Sequence, residues 1–283
     1  DNLLVMNDEA HHVHDDELKW NESLLAIHRH IPGGLKMWVD FSATPKTPEN
    51  TYYPWIICDY PLAQAVEDRI VKVPLIVHSV NKKDPEKITK DNVVQKYGDW
   101  ISASLARWKE HNEAYKGVNK KPVLFIMAEK NIFADKIAES ISRRGATYGI
   151  DKDEIMVIHT DSSGDVKKSD LESLREEARD VDNPKNKIKV IVSVLMLREG
   201  WDVQNVTIVL GLRAFDSAIL PEQAIGRGLR LMRDISPDRT QTLEVIGNEN
   251  FEKIVKQLEL EGVGINTTKT PPPLPVTIAP EKK

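Results

Sequence analysis

Arg227 and Arg230 stand three residues apart beside a glycine in Gln223-Ala-Ile-Gly-Arg-Gly-Leu-Arg230. If this stretch opens a helix after the apolar run Thr207 to Leu212, the two guanidinium groups share a face and reach outward to an anionic partner. Such a pair can neutralise charge that develops on a transferring phosphoryl group, provided a second lobe holds the nucleotide. Near the start of the chain, Leu3-Leu4-Val5-Met6 is a continuous apolar run, the pattern of a buried parallel strand. It delivers Asp8 and Glu9 to the strand's carboxyl end, where ligands bind in open α/β sheets. There Asp8 suits a magnesium ion held through water, and Glu9 suits orienting the attacking water. An acidic strand end facing solvent has the same local pattern, so the motifs further along must decide between the two.

The elements that must place these residues alternate along the chain. Trp20 to Ile31 is predicted to be a helix with Leu24, Leu25 and Ile27 inward, ended by Pro32-Gly33-Gly34. The strand Met37 to Phe41 then runs into Ser42-Ala43-Thr44-Pro45, whose hydroxyls can hydrogen-bond to the preceding carboxylates. Tyr52 to Val80 is irregular and aromatic, with a strand candidate at Pro74 to Val77, and is expected to be a crossover out of the first lobe. Val94, Tyr97, Trp100, Ile101, Leu105 and Trp108 form a helical stripe within Val93 to Tyr115. Tryptophans on such a stripe are expected in the core; stacking on bases is the alternative.

A second α/β unit begins at Lys121, with strands at Val123 to Met127, Ile155 to Ile158, Lys189 to Val194, Val206 to Leu212 and Thr242 to Ile246. Helices are expected at Ile132 to Arg143, around Arg227 and Arg230, and at Phe251 to Leu260. In Leu197-Arg-Glu-Gly200-Trp-Asp202 the glycine permits a sharp turn and close approach to a ribose or phosphate. This alternation means a parallel sheet covered on both faces. Thr267 to Lys283, with Pro271-Pro272-Pro273, is expected to be an extended linker.

Composition bounds the possibilities. The 283 residues suffice for two domains, and 40% hydrophobic residues suffice for their cores. No apolar run approaches the roughly 20 residues needed to cross a bilayer, and the acidic, His-rich start is unlike a signal peptide, so the cytoplasm is the expected compartment. Cys58 is the one cysteine, which excludes an intramolecular disulfide and a multi-thiolate zinc site. His11, His12 and His14 lack the helical H-x-x-x-H spacing of a metal pair. A net charge of −5 means that any nucleic-acid binding comes from a local groove.

Taken together, D-E-A-H at 8–11, S-A-T at 42–44, E-G-W-D at 199–202 and Q-x-x-G-R-x-x-R at 223–230 resemble the motifs of superfamily 2 helicases and translocases. The forms F-S-A-T-P, L-R-E-G-W-D and Q-A-I-G-R-G-L-R, with Asp59-Tyr-Pro-Leu62 and Glu261-Gly-Val263, look most like the restriction subunit of type III restriction-modification enzymes. The resemblance covers roughly residues 1–265. It implies two tandem RecA-like α/β domains, the first incomplete: residues 1–80 as the end of the ATP-binding lobe and crossover, 81–118 as a connecting segment with a helix, 119–265 as the second lobe, and 266–283 as a Pro-rich tail. It also implies ATP and magnesium as cofactors, with DNA gripped by its backbone and a methyltransferase subunit as a further partner. Asp8 and Glu9 would handle magnesium and water, and His11 and Gln223 would couple nucleotide to DNA. Gly200 and Asp202 would line the interlobe cleft, and Arg227 and Arg230 would face the γ-phosphate. Thr44, Thr160 and Ser193 are the candidates for DNA phosphates.

The departure from the family pattern is that G-x-x-x-x-G-K-S/T, the Walker A loop, occurs nowhere in the 283 residues. The chain therefore reads as a fragment that starts at the family's second motif. No acidic-plus-lysine nuclease constellation is found before Lys283. The rival reading is a non-catalytic DNA-binding or assembly module that keeps the helicase fold without the ATP loop, and the sequence upstream of Asp1 would discriminate the two.

Overall fold

The computed structural model describes residues 3–8, 10, 19–42, 55–77, 86–159, 180–194, 203–212 and 225–247. The chain divides into two compact units, Asp1–Asp59 and Tyr60–Lys283.

In the first unit, β1 (Leu4–Asn7) and β2 (Met37–Asp40) pair in parallel, with Leu4 opposite Met37 and Asn7 opposite Asp40. A parallel pair needs a crossover, and α1 (Lys19–His30) lies within it. Leu24 is buried and clusters with Ala10, Val5 and Trp38. Leu25 and Ile27, expected inward, are instead 38% and 41% exposed. Two strands about 4.8 Å apart offer too narrow a face to cover a full amphipathic stripe.

The second unit is built on six parallel strands: β3 (Val73–Val77), β4 (Val123–Ala128), β5 (Ile155–Ile158), β6 (Val190–Ser193), β7 (Val206–Leu212) and β8 (Thr242–Gly247). Their spatial order is β3-β8-β7-β4-β6-β5. Every residue of β4 and β7 is buried, as expected of strands covered on both faces. The pleat divides the core. Leu124, Ile126 and Ala128 pack with α4 (Gly98–Tyr115) and α5 (Asn131–Tyr148) on one face; Val123, Phe125 and Met127 pack with Ile225 and Leu229 on the other. The α/β class with a parallel sheet is therefore as expected. β3 is a difference: it pairs with β8 in the second unit's sheet and follows a short helix, α2 (Leu62–Glu67), where the sequence alone suggests a crossover of the first lobe. The division after Asp59 accordingly falls earlier than residue 80.

The aromatic stripe lies in α3 (Val93–Lys96) and α4. Trp108 is fully buried and Trp100 nearly so; their indole N–H groups donate to the carbonyls of Pro122 and Gly247, at 2.9 and 3.2 Å. These are core tryptophans with satisfied donors, not stacking platforms.

Candidate functional site

In the first unit, Asp8 follows the last residue of β1 and is exposed. The backbone N–H of Phe41 donates to Asn7 O and that of Ala10 donates to Phe41 O, both at 2.9 Å. These bonds bring Asp8 alongside the segment entering Ser42. Behind it, Asp40 is held by the Asn7 amide at 2.7 Å and the Trp38 indole at 2.6 Å, so two side chains and the backbone fix this strand end.

In the second unit, residues 225–228 are helical, and Leu229 N–H still donates to Ile225 O at 2.8 Å. Ile225 and Leu229 are both 2% exposed and anchor the turn in the core. Gly228 lies so close to the sheet that a Cβ there would stand 2.9 Å from both methyl carbons of Leu243. Arg227 is half-buried and Arg230 exposed. The helix does not carry both arginines, as the i, i+3 spacing suggests. It ends at Gly228, and Arg230 is extended, forming an antiparallel bridge with Val71. The two guanidinium groups therefore leave from a helical turn and from the strand-like residue beyond it, and do not share one helical face.

Lys72 explains where the helix stops. Its backbone N–H donates to Leu229 O at 2.7 Å. Its side chain, 0% exposed, sends Nζ to the carbonyls of Gly228 at 3.0 Å, Val206 at 2.5 Å and Gln204 at 2.7 Å. Three carbonyls match the three N–H donors of an ammonium. Burial pushes the Lys72 ammonium down to about 7, opposed by the nearby Asp182 carboxylate. Asp182 grips the same segment from its other edge, accepting from Gln204 N–H at 2.7 Å and Asn205 N–H at 3.0 Å. The turn's end thus sits against the amino-terminal ends of β3 and β7.

A second buried charge braces α4 to the sheet. Glu244 on β8 is 1% exposed and accepts from Arg107 Nε at 2.7 Å and Arg107 Nη2, with His111 Nε2 at 2.9 Å. An ionised carboxylate only accepts, so Nε2 carries the proton. Burial alone would raise the Glu244 carboxyl; the hydrogen bonds and charges of Arg107 and His111 outweigh it and hold it at about 2. Neither Lys72 nor Glu244 is apparent as a functional residue from motifs, although each is a lone charge in an apolar run, I-V-K-V-P-L-I-V and T-L-E-V-I-G.

Of the remaining candidates, Glu9, His11, Thr44, Thr160, Gly200, Asp202 and Gln223 lie outside the described residues, as does the expected helix at Phe251 to Leu260. Ser193 is a correction. It ends β6 between Met127 of β4 and Ile158 of β5 and is 0% exposed, so it presents no hydroxyl to a phosphate backbone. Among the described residues, no group of three or more His, Cys, Asp or Glu could hold a metal ion, and no helix is long and apolar enough to cross a membrane. Asp8 and Arg230 are exposed at the surface of their units, and Arg227 is half-buried.

No family model and no curated protein matches the chain. Solved structures do. The ATP-dependent Type ISP restriction-modification enzyme LlaBIII bound to DNA is 15% identical over 93% of this chain and 20% of its own, with a TM-score of 0.47. S. cerevisiae Dbp5 bound to RNA and ADP BeF3 is 13% identical over 92% of this chain and 57% of its own, with a TM-score of 0.47. The yeast DEAD-box splicing factor Prp28 is 12% identical over 95% of this chain and 51% of its own, with a TM-score of 0.42. The chain thus spans between a fifth and a little over half of the length of these proteins.

Proposed function

We propose that the chain belongs to an ATP-dependent motor of the superfamily 2 kind, related to type III restriction subunits, that moves along DNA by gripping its phosphates. The observation that carries this reading is the turn at 225–230: Ile225 and Leu229 are sunk in the core while Arg227 and Arg230 are kept towards the surface. The parallel strand end bearing Asp8 beside Ser42 supports it from the other unit.

In this reading ATP with magnesium supplies the phosphoryl group and the cation that polarises it. Asp8 would hold the ion and Glu9 would orient the attacking water. Arg227 and Arg230 would neutralise charge on the γ-phosphate oxygens, and Gly200 and Asp202 would line the nucleotide site. His11 and Gln223 couple nucleotide to DNA, while Thr44 and Thr160 bond to its phosphates. Base recognition falls to a modification subunit.

The test is phosphate release by the full-length encoded protein with and without DNA and magnesium. Magnesium-dependent turnover stimulated by DNA, and lost in Arg227→Ala and Arg230→Ala, is the expected result. DNA binding without turnover under any of these conditions would instead establish the non-catalytic module.

A further inference from the structure

We propose that Lys72 is the positioning residue of the arginine turn, its ammonium joining the turn's last carbonyls to the start of β7 and so fixing where Arg227 and Arg230 stand. The proposal rests on the motor reading for what the arginines do, but not for what holds them.

One side chain reaches two segments far apart in sequence. Gly228 O belongs to the last helical residue between the two arginines, while Gln204 O and Val206 O belong to the four residues that follow Asp202. The Lys72 and Val71 backbones complete the strap through Leu229 O and the bridge to Arg230. Arg230 therefore cannot shift without breaking the bridge, and Gly228 cannot shift without baring a carbonyl beside a buried ammonium. Asp182 holds the N–H groups of Gln204 and Asn205, so the far anchor is itself fixed. The start of β7 and the arginine turn thereby share one mechanical joint.

Its neighbours Ile70, Val71, Val73 and Leu75 are apolar, and an apolar residue in its place would leave the carbonyls of Gln204, Val206 and Gly228 without the donor they share. What an apolar residue cannot do is bind three carbonyls from two segments at once. A turn displaced by even about 1 Å places guanidinium donors out of reach of the oxygens that they serve, an error that costs on the order of 10²-fold in rate.

The experiment compares Lys72→Met and Lys72→Gln with the parent in the full-length protein. Amide hydrogen exchange is followed across the molecule, together with melting temperature, nucleotide KM and kcat. In Lys72→Met, exchange at Leu229 and Arg230 and in 203–207 should speed up about tenfold or more, with α5 and β4 unchanged and the melting temperature lowered by only a few degrees. The kcat should fall by about 10- to 100-fold with KM within about threefold. Lys72→Gln keeps two N–H donors and should fall between the two, and it carries the comparison if the methionine variant does not fold. Unchanged exchange at the turn overturns the proposal. So does loosening spread evenly over β4 and α5, or failure of both variants to fold, because either marks a general structural role. If the turn loosens as expected while Arg227→Ala and Arg230→Ala keep normal turnover, the positioning stands and the motor reading fails.

Discussion

Replacing Glu244 by glutamine removes one charge from a site with almost no solvent, and its cost can be worked from the structure. The carboxyl is held at about 2 against an ordinary 4.5, with burial pulling upward and the hydrogen bonds and charges of Arg107 and His111 pulling further down. At about 1.4 kcal/mol per pH unit, that depression corresponds to about 3 kcal/mol of folding stability. A folded pKa below the unfolded one means that the contribution is fully present above about pH 4.5 and is lost as pH falls towards 2. At pH 7, Glu244→Gln should therefore lose about 3 kcal/mol, leaving the Arg107 guanidinium without its main partner. In a unit of this size that lowers the melting temperature by roughly 6 to 12 °C. Urea unfolding of parent and variant from pH 7 to pH 2.5 supplies the check. The gap should hold to about pH 5, narrow below 4.5 and shrink to roughly a quarter at the acid end. Arg107→Met combined with Glu244→Gln should be less damaging than Glu244→Gln alone, since the guanidinium, which keeps only Glu110, no longer faces a neutral amide where its main partner stood. A gap below about 1 kcal/mol at pH 7, or one that does not change with pH, refutes the reasoning.

Four further outcomes are expected. Arg227→Ala and Arg230→Ala in the full-length protein should lower kcat on the order of 10³-fold or more with little change in nucleotide binding, and lysine should not rescue either; near-normal turnover in all four variants ends the assignment. DNA binding by that protein should be nearly independent of sequence and weaken with salt at a log-log slope of about −0.7 to −0.9 per neutralised phosphate, measured by anisotropy on unrelated sequences. The 283-residue chain alone, which contains no G-x-x-x-x-G-K-S/T, should release no phosphate from ATP with or without DNA. Gly145→Ala, a change that usually stabilises a helix interior, should here destabilise by more than about 1 kcal/mol, because its Cβ would stand 1.9 Å from Ile150 O; a raised melting temperature would contradict this.

How far the sequence reveals this fold depends on whether the deciding interaction is local. β4 is six apolar residues in a row, and α5 repeats its buried residues at helical spacing before Gly149, whose φ of +75° closes the helix; both are plain in the sequence. β3 is equally apolar, yet its partner is β8, far down the chain, and nothing within Val73–Val77 tells a strand of this sheet from one of the preceding lobe. Ser193 fails for the same reason. Its place at a strand end is local information, whereas its burial is set by what the folded sheet packs around it, with β4 and β5 on either side.

The two buried charges separate these cases more sharply. Glu244 is a single acid in an apolar strand and must find cations, and Arg107 and His111 stand at i, i+4 on a helix whose neighbouring face carries the core tryptophans. That pairing leaves a trace in residue types, so a search for cations four apart on the covering helix would have found it. Lys72 leaves no such trace. Its partners are three backbone carbonyls, which every residue possesses, so no pattern of side chains announces them. The one clue is the lysine itself, alone among Ile70, Val71, Val73 and Leu75, where a charge is tolerated only if something unseen in the sequence receives it. For the same reason the end of the helix at Gly228 was beyond local reasoning: the spacing of Arg227 and Arg230 permits another helical turn, and what stops it is the capture of Gly228 O and Leu229 O by a residue from the opposite end of the sheet's sequence.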